Sequence, residues 1–232
     1  MVLPCYLAMT AAEIADAKAF PPKTAWMACH FSASNSGLSN RPRSLPEGAM
    51  VILNDQTPIH GHDPDRIARQ LRETVEETGA DRVLLDLQRP GASETVAVVK
   101  SILQELSCPV GVSGLYAQES DCPVFLPPPP ESRLLADYLS SWQGREIWLE
   151  AALDAEAITV TPKGTTFASL THWDGADTGL RDEPLHCHYR TEMRKDEIRF
   201  TLFRTQQDLE ALLREAADLG VTLAVGLYQE LG

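Results

Sequence analysis

Positive charge is scarce in this chain. Lys and Arg together number 20 against 33 Asp and Glu, a formal net charge of −13 over 232 residues. Such a surface repels phosphate backbones and anionic lipid, so the expected partners include no nucleic acid and no membrane. A neutral small molecule meets no such barrier. Long apolar runs are missing as well, and no segment is long enough to span a bilayer. The opening stretch MVLPCYLAMTAAEIADAKAF has no basic start and no extended apolar core, so no signal peptide is expected. The five cysteines, Cys5, Cys29, Cys108, Cys122 and Cys187, are odd in number and never form C-x-x-C. They read as small buried hydrophobes in a reducing compartment, which predicts a cytoplasmic location.

Several catalytic signatures are also absent. The first strand–helix turn lacks G-x-G-x-x-G, and G-x-x-x-x-G-K-[ST] occurs nowhere, so no nucleotide cofactor is expected. No serine sits in G-x-S-x-G. Cys29 and His30 adjoin on a strand and point to opposite faces, which makes a poor nucleophile–base pair. His60 and His62, and His186 and His188, form two H-x-H pairs, but no third ligand is fixed by spacing. They read as solvated loop histidines, and no metal site is expected.

What the chain does have is a regular succession of short apolar runs. They cover residues 3–9, 25–31, 50–55, 82–87, 109–115, 123–127, 146–153 and 221–228. Each is nearly continuous in apolar character, as strands buried on both faces are. Helical patterns lie between them. Thr10 and Glu13 form a capping box, and Asp63-Pro64 opens a helix with Ile67, Leu71 and Val75 on one face and Gly79 at its end. Thr205 caps a stripe of Leu209, Leu212, Leu213 and Ala216. Strand and helix in alternation predict an α/β fold with a parallel sheet. Eight strands predict a closed (β/α)₈ TIM barrel, with an open doubly wound sheet as the alternative. The spacing breaks after residue 153. A hairpin turning at Pro162-Lys163-Gly164 and two further strand patterns predict a small antiparallel insertion, roughly residues 154–204, before the last barrel strand of a single domain spanning 1–232.

Barrels of this type carry their working groups at the C-terminal strand ends. The polar residues there are His30, Asn54, Asp55, Asp86, Gln88, Tyr116, Glu150 and Tyr228. At the fourth strand the chain resembles family-18 glycoside hydrolases, the chitinase and endo-β-N-acetylglucosaminidase group, whose motif there is DxxDxDxE. In DRVLLDLQ, Asp81 and Asp86 match the first and third Asp, Leu84 replaces the second, and Gln88 stands at the Glu. The stretch AWMACHFSASNSGLS resembles the family's second strand and loop. The insertion before the last strand also matches, and Tyr228 falls where the family has Trp. The family's third-strand ending is not kept: here it reads Asn54-Asp55-Gln56-Thr57.

The resemblance implies a barrel that binds an oligosaccharide or another neutral small molecule. It implies no family-18 hydrolysis, because an amide cannot donate the proton that the family's Glu supplies. Asp86, Gln88 and Tyr228 are the expected cleft residues, with Asn54, Asp55, Tyr116 and His30 as further contacts. Two alternatives stand beside this reading. One is an active hydrolase with Asp86 and Glu150 as its carboxylate pair, retaining at a separation of ~5 Å and inverting at ~6.5–9.5 Å. The other is a non-catalytic scaffold. Plainer roles compete at each position: Asp86 capping a loop or pairing with Arg89, Glu150 in a rim ion pair, and Tyr228 in core packing.

Overall fold

The computed structural model describes residues 3–34, 36–90, 93–119, 121–170 and 179–232. The chain forms a closed barrel of eight parallel strands: β1 (Cys5–Met9), β2 (Thr24–Phe31), β4 (Met50–Asn54), β5 (Arg82–Asp86), β6 (Val110–Ser113), β7 (Val124–Leu126), β8 (Ile147–Ala151) and β14 (Val221–Leu227). Closure comes from β1, which pairs with both β14 and β2. The two-residue strand β3 (Leu38–Ser39) runs antiparallel to the end of β2.

Capping chemistry sets the helix starts as expected. Thr10 accepts a hydrogen bond from the N–H of Glu13 and caps α1 (Ala11–Asp16), with the Glu13 carboxylate returning to the Thr10 N–H. Asp63 caps α2 (Pro64–Thr78), which ends on Gly79 at φ 69°, the left-handed conformation that glycine adopts without a Cβ penalty. α3 (Ser93–Glu105) follows β5. The winding is incomplete elsewhere. Among the described residues no α-helix joins β2 to β4, and β3 lies between them. The segment is tied to α2 instead: Gln70 accepts from the Leu38 N–H, and Arg41 donates to Thr74.

The barrel interior is filled by Tyr6, Ala8, Ala25, Met50, Ile52, Leu84, Phe125, Trp148, Leu223 and Val225. Trp148 is fully buried and lies directly over Gly111. At the N-terminal strand ends, Asp81 pairs with Arg82 at 3.0 Å, and Arg82 lies over the Tyr6 ring.

Contact density divides the chain into two compact units. The barrel strands make up most of one: residues 4–126, 145–149 and 222–232. The other comprises residues 127–144 and 150–221 together with the chain start. It contains α4 (Leu135–Leu139), α5 (Gln206–Asp218) and a five-stranded antiparallel sheet. That sheet has the order β10 (Gly164–Leu170), β9 (Ala155–Thr161), β13 (Glu197–Phe203), β12 (Cys187–Arg194), β11 (Leu180–Asp182). The β9–β10 hairpin turns at Pro162-Lys163. Residues 171–178 of the insertion lie outside the described residues. Cys29 and Cys187 are buried, whereas Cys5, Cys108 and Cys122 are half-buried.

Candidate functional site

A cavity of about 470 Å³ opens at the C-terminal ends of β2, β4 and β5. Its walls are Thr10, Met27, Ala28, His30, Asn40, Asn54, Asp55, Gln56, Asp86 and Gln88. Five residues selected by their strand-end positions therefore meet here: His30, Asn54, Asp55, Asp86 and Gln88.

A register shift in β2 builds one wall. Trp26 pairs with Val51, yet Cys29 pairs with Leu53, so Met27 and Ala28 carry one residue too many for the ladder. A bulge of this kind frees main-chain groups and is common beside active sites. Side chains take up the freed carbonyls. Asn54 Nδ2 donates to Met27 O at 2.8 Å, and His30 Nδ1 lies 3.0 Å from Ala28 O. A carbonyl only accepts, so Nδ1 carries the proton and Nε2 of the neutral ring is an acceptor. Asn54 Oδ1 in turn accepts from the Gln56 N–H at 3.1 Å.

The two acidic residues have different employment. Asp55 is buried and accepts from the main-chain N–H groups of Gln88 (3.2 Å) and Arg89 (2.7 Å). It holds the loop that follows β5. Asp86 is half-buried, and Gln88 Nε2 donates to its Oδ1 at 3.1 Å. Burial pushes its carboxyl above the usual range; the Gln88 amide works against that rise, and the Asp55 charge adds to it. Arg89 does not pair with Asp86. Its guanidinium donates to the carbonyls of Asp55 and Gln56 at 2.9 and 3.1 Å. Ser113 locks the end of β5 from the next strand, accepting from the Leu87 N–H and donating to Leu85 O.

The remaining sequence candidates do not line this cavity. Tyr116 is buried, and its hydroxyl donates to Arg89 O. Tyr228 is half-buried in the first turn of α6 (Tyr228–Leu231). Glu150 belongs to the other unit, where its charge, after burial, helps to push the Tyr138 phenol up to about 12, against the Arg133 charge. Sequence reasoning passed over Thr10, Met27, Ala28, Asn40 and Gln56. Thr10 alone carried a signal, as a capping residue directly after the first strand.

Three of the four paired histidines are not solvated loop residues. His62 Nε2 lies 3.1 Å from Ser32 O, and its ring meets Phe31 edge-on. His186 Nε2 lies 2.5 Å from Glu215, and His188, on β12, lies 2.7 Å from the fully buried Asp208. Acids on α5 fix the second pair separately, because His186 stands in the turn before β12, outside the strand. Among the described residues no group of three His, Cys, Asp or Glu is placed to hold a metal ion. No helix among them is long and apolar enough to cross a membrane.

No protein-family model matches the chain, and no curated protein matches it in sequence. Solved structures do match in fold. The spore cortex-lytic enzyme SleL of Bacillus cereus aligns over 99% of this chain and 71% of its own, with a TM-score of 0.60 at 9% identity. SleL of Bacillus megaterium QM B1551 aligns over 97% and 70%, with a TM-score of 0.55 at 10% identity. The "C-terminal domain of putative chitinase from Desulfitobacterium hafniense DCB-2" aligns over 98% and 94%, with a TM-score of 0.58 at 11% identity. At these identities the likeness is one of fold alone, a closed parallel α/β barrel.

Proposed function

We propose that this chain is a carbohydrate-binding barrel of the glycoside-hydrolase-like type that has lost general-acid catalysis. One observation carries the reading. At the end of the fourth barrel strand, inside the cavity, the residue hydrogen-bonded to Asp86 is an amide, Gln88. A carboxylic acid in that place protonates a leaving glycosidic oxygen. An amide N–H has no useful acidity, and general-acid help is worth about 10²–10⁴ in rate. Gln88 still donates and accepts hydrogen bonds, so sugar binding survives the loss. The descriptions of the similar structures, a "putative chitinase" domain and two spore cortex-lytic enzymes, support this choice of ligand class.

Titration calorimetry against chito-oligosaccharides and solubilised spore-cortex fragments tests the binding. Heat without hydrolysis is the expected result, and no heat from any glycan at millimolar concentration refutes it. Gln88→Glu tests the lost acid. The new carboxyl would stand about as close to Asp86 as the amide does, and like charge at that distance raises its pKa toward that of a working acid. Release of aryl alcohol from an aryl chitobioside by the variant alone is expected. Turnover by the unmodified chain that Asp86→Asn abolishes would replace this reading with that of an active hydrolase.

A further inference from the structure

The cavity narrows its own ligand, and the narrowing rests on the carbohydrate reading above. None of the ten lining residues is Lys or Arg. The adjacent cation, Arg89, is turned onto main-chain carbonyls. Of the two acidic residues in the wall, Asp55 is committed to the N–H groups of Gln88 and Arg89. Asp86 is not committed in that way. Among the described residues its hydrogen-bond partner is the Gln88 amide, and the charge that acts on it, Asp55, is also negative.

An ionised carboxylate offers about four acceptor positions, and one amide leaves most of them open. The neighbouring groups supply no fixed positive charge. His30, donating Nδ1–H to Ala28 O, presents Nε2 as an acceptor when its ring is neutral. Gln88, having turned its amine to Asp86, presents Oε1. The donors left in the wall are side-chain amides of Gln88, Asn40, Asn54 and Gln56, all neutral. A half-buried anion is therefore set among neutral amides and an imidazole.

A ligand hydroxyl brings one donor and no charge. An N-acetyl group brings one N–H and a carbonyl that itself needs a donor. An ammonium brings three donors and the opposite charge, and charge-assisted hydrogen bonds are about twice as strong as neutral ones. We infer that the cavity at the ends of β2, β4 and β5 binds a cationic amino sugar, an oligosaccharide carrying free ammonium groups on de-N-acetylated glucosamine units, with Asp86 as the counter-ion. The loss of the acid fits this assignment. A Glu at position 88 would be a second carboxyl beside Asp86, whereas Gln88 leaves one charge for one ammonium.

The experiment is calorimetry on the intact chain at about pH 7, above the ordinary imidazole range, with four probes of matched length: glucosamine oligomers, N-acetylglucosamine oligomers, cello-oligosaccharides and a diamine without a sugar ring. Glucosamine oligomers are expected to bind about ten- to a hundredfold more tightly than the other three, the factor that a hydrogen bond to a charged group provides. In Asp86→Asn that ratio is expected to shrink to within about threefold, with folding checked by its urea midpoint. Equal or tighter binding of the N-acetylated or neutral oligomers overturns the inference and leaves the carbohydrate reading standing. Equal binding of the bare diamine removes the sugar from the assignment. A preference that persists in Asp86→Asn assigns the attraction to the acidic surface at large and overturns the role of Asp86. Should that variant not fold, Asp86→Ser takes its place and is read by the same ratio. No heat from any sugar ends both readings together.

Discussion

A carboxylate that accepts two main-chain N–H bonds has little left for a ligand, and this separates two acids that look alike in the sequence. Asp55 and Asp86 both end barrel strands and both line the cavity. Only the structure shows that Asp55 is a clamp, because its partners Gln88 and Arg89 lie 33 and 34 residues away. Local patterns do not register such bonds. Asp55→Asn tests the difference. Asparagine keeps one carbonyl oxygen and turns an NH₂ toward a main-chain N–H, leaving one buried donor unpaired. A cost of about 1–3 kcal/mol is expected from that one lost bond. Amide hydrogen exchange should speed up at Gln88 and Arg89 while Val83–Leu85 stay protected. Unchanged exchange at positions 88 and 89 would mean that Asp55 does not hold the loop. Arg89 is the converse case. Its nearness in sequence to Asp86 invites an ion pair, but its reach takes it to the carbonyls of residues 55 and 56.

At the scale of elements, the barrel strands were legible because parallel strands are apolar on both faces and leave continuous runs. Helix starts at Thr10, Asp63 and Thr205 were legible because a cap is a local bond. What stayed hidden was cooperative. β3 is two residues long and exists only by pairing with β2. The β2 bulge, which frees the carbonyls of Met27 and Ala28, is visible only as a register shift against β4. The antiparallel sheet was read as a hairpin and two further strand patterns, without β11 and without its order. Gly111 is another tertiary matter: its place in β6 is set by Trp148 on β8, two strands away. A Cβ added there would stand 2.2 Å from Trp148 Cε3, far inside contact distance. The ring is fully buried, and close-packed interiors leave little room for such a ring to yield. Gly111→Ala should therefore cost about 2–3 kcal/mol, typical of overpacking, and lower Tm by roughly 4–12 °C. A thermal midpoint within a degree of wild type would show that the ring can move aside.

For the whole molecule the governing quantity is the excess of acid, 33 residues against 20 bases. It was fully legible, but its effect on stability depends on where individual carboxyls sit. Burial raises the carboxyls of Asp86, Glu131 and Asp154, in Glu131 and Asp154 against the pull of Arg204. A carboxyl whose folded pKa is raised binds its proton more tightly when folded. Each of the three therefore destabilises the chain at neutral pH and ceases to do so as the pH falls through its folded value. Relief of net negative charge acts in the same direction. Asp208 opposes them. Burial would raise it, but the N–H and O–H of Thr205 and the His188 ring outweigh burial and hold it below the usual range. Its contribution is complete above the unfolded Asp pKa and is lost as the pH falls through the lower folded one. Stability should rise as the pH is lowered from neutral toward the raised folded values of Asp86, Glu131 and Asp154, and fall again below the ordinary Asp range, as Asp208 takes up its proton. Urea midpoints at four or five pH values measure the profile. In Asp208→Asn the acid limb should flatten while the rise on leaving neutral pH remains, since Asp86, Glu131 and Asp154 are untouched. A midpoint that falls steadily from neutral pH downward would show that ion pairs, and not the cost of burying carboxylates, dominate the acid response of this chain.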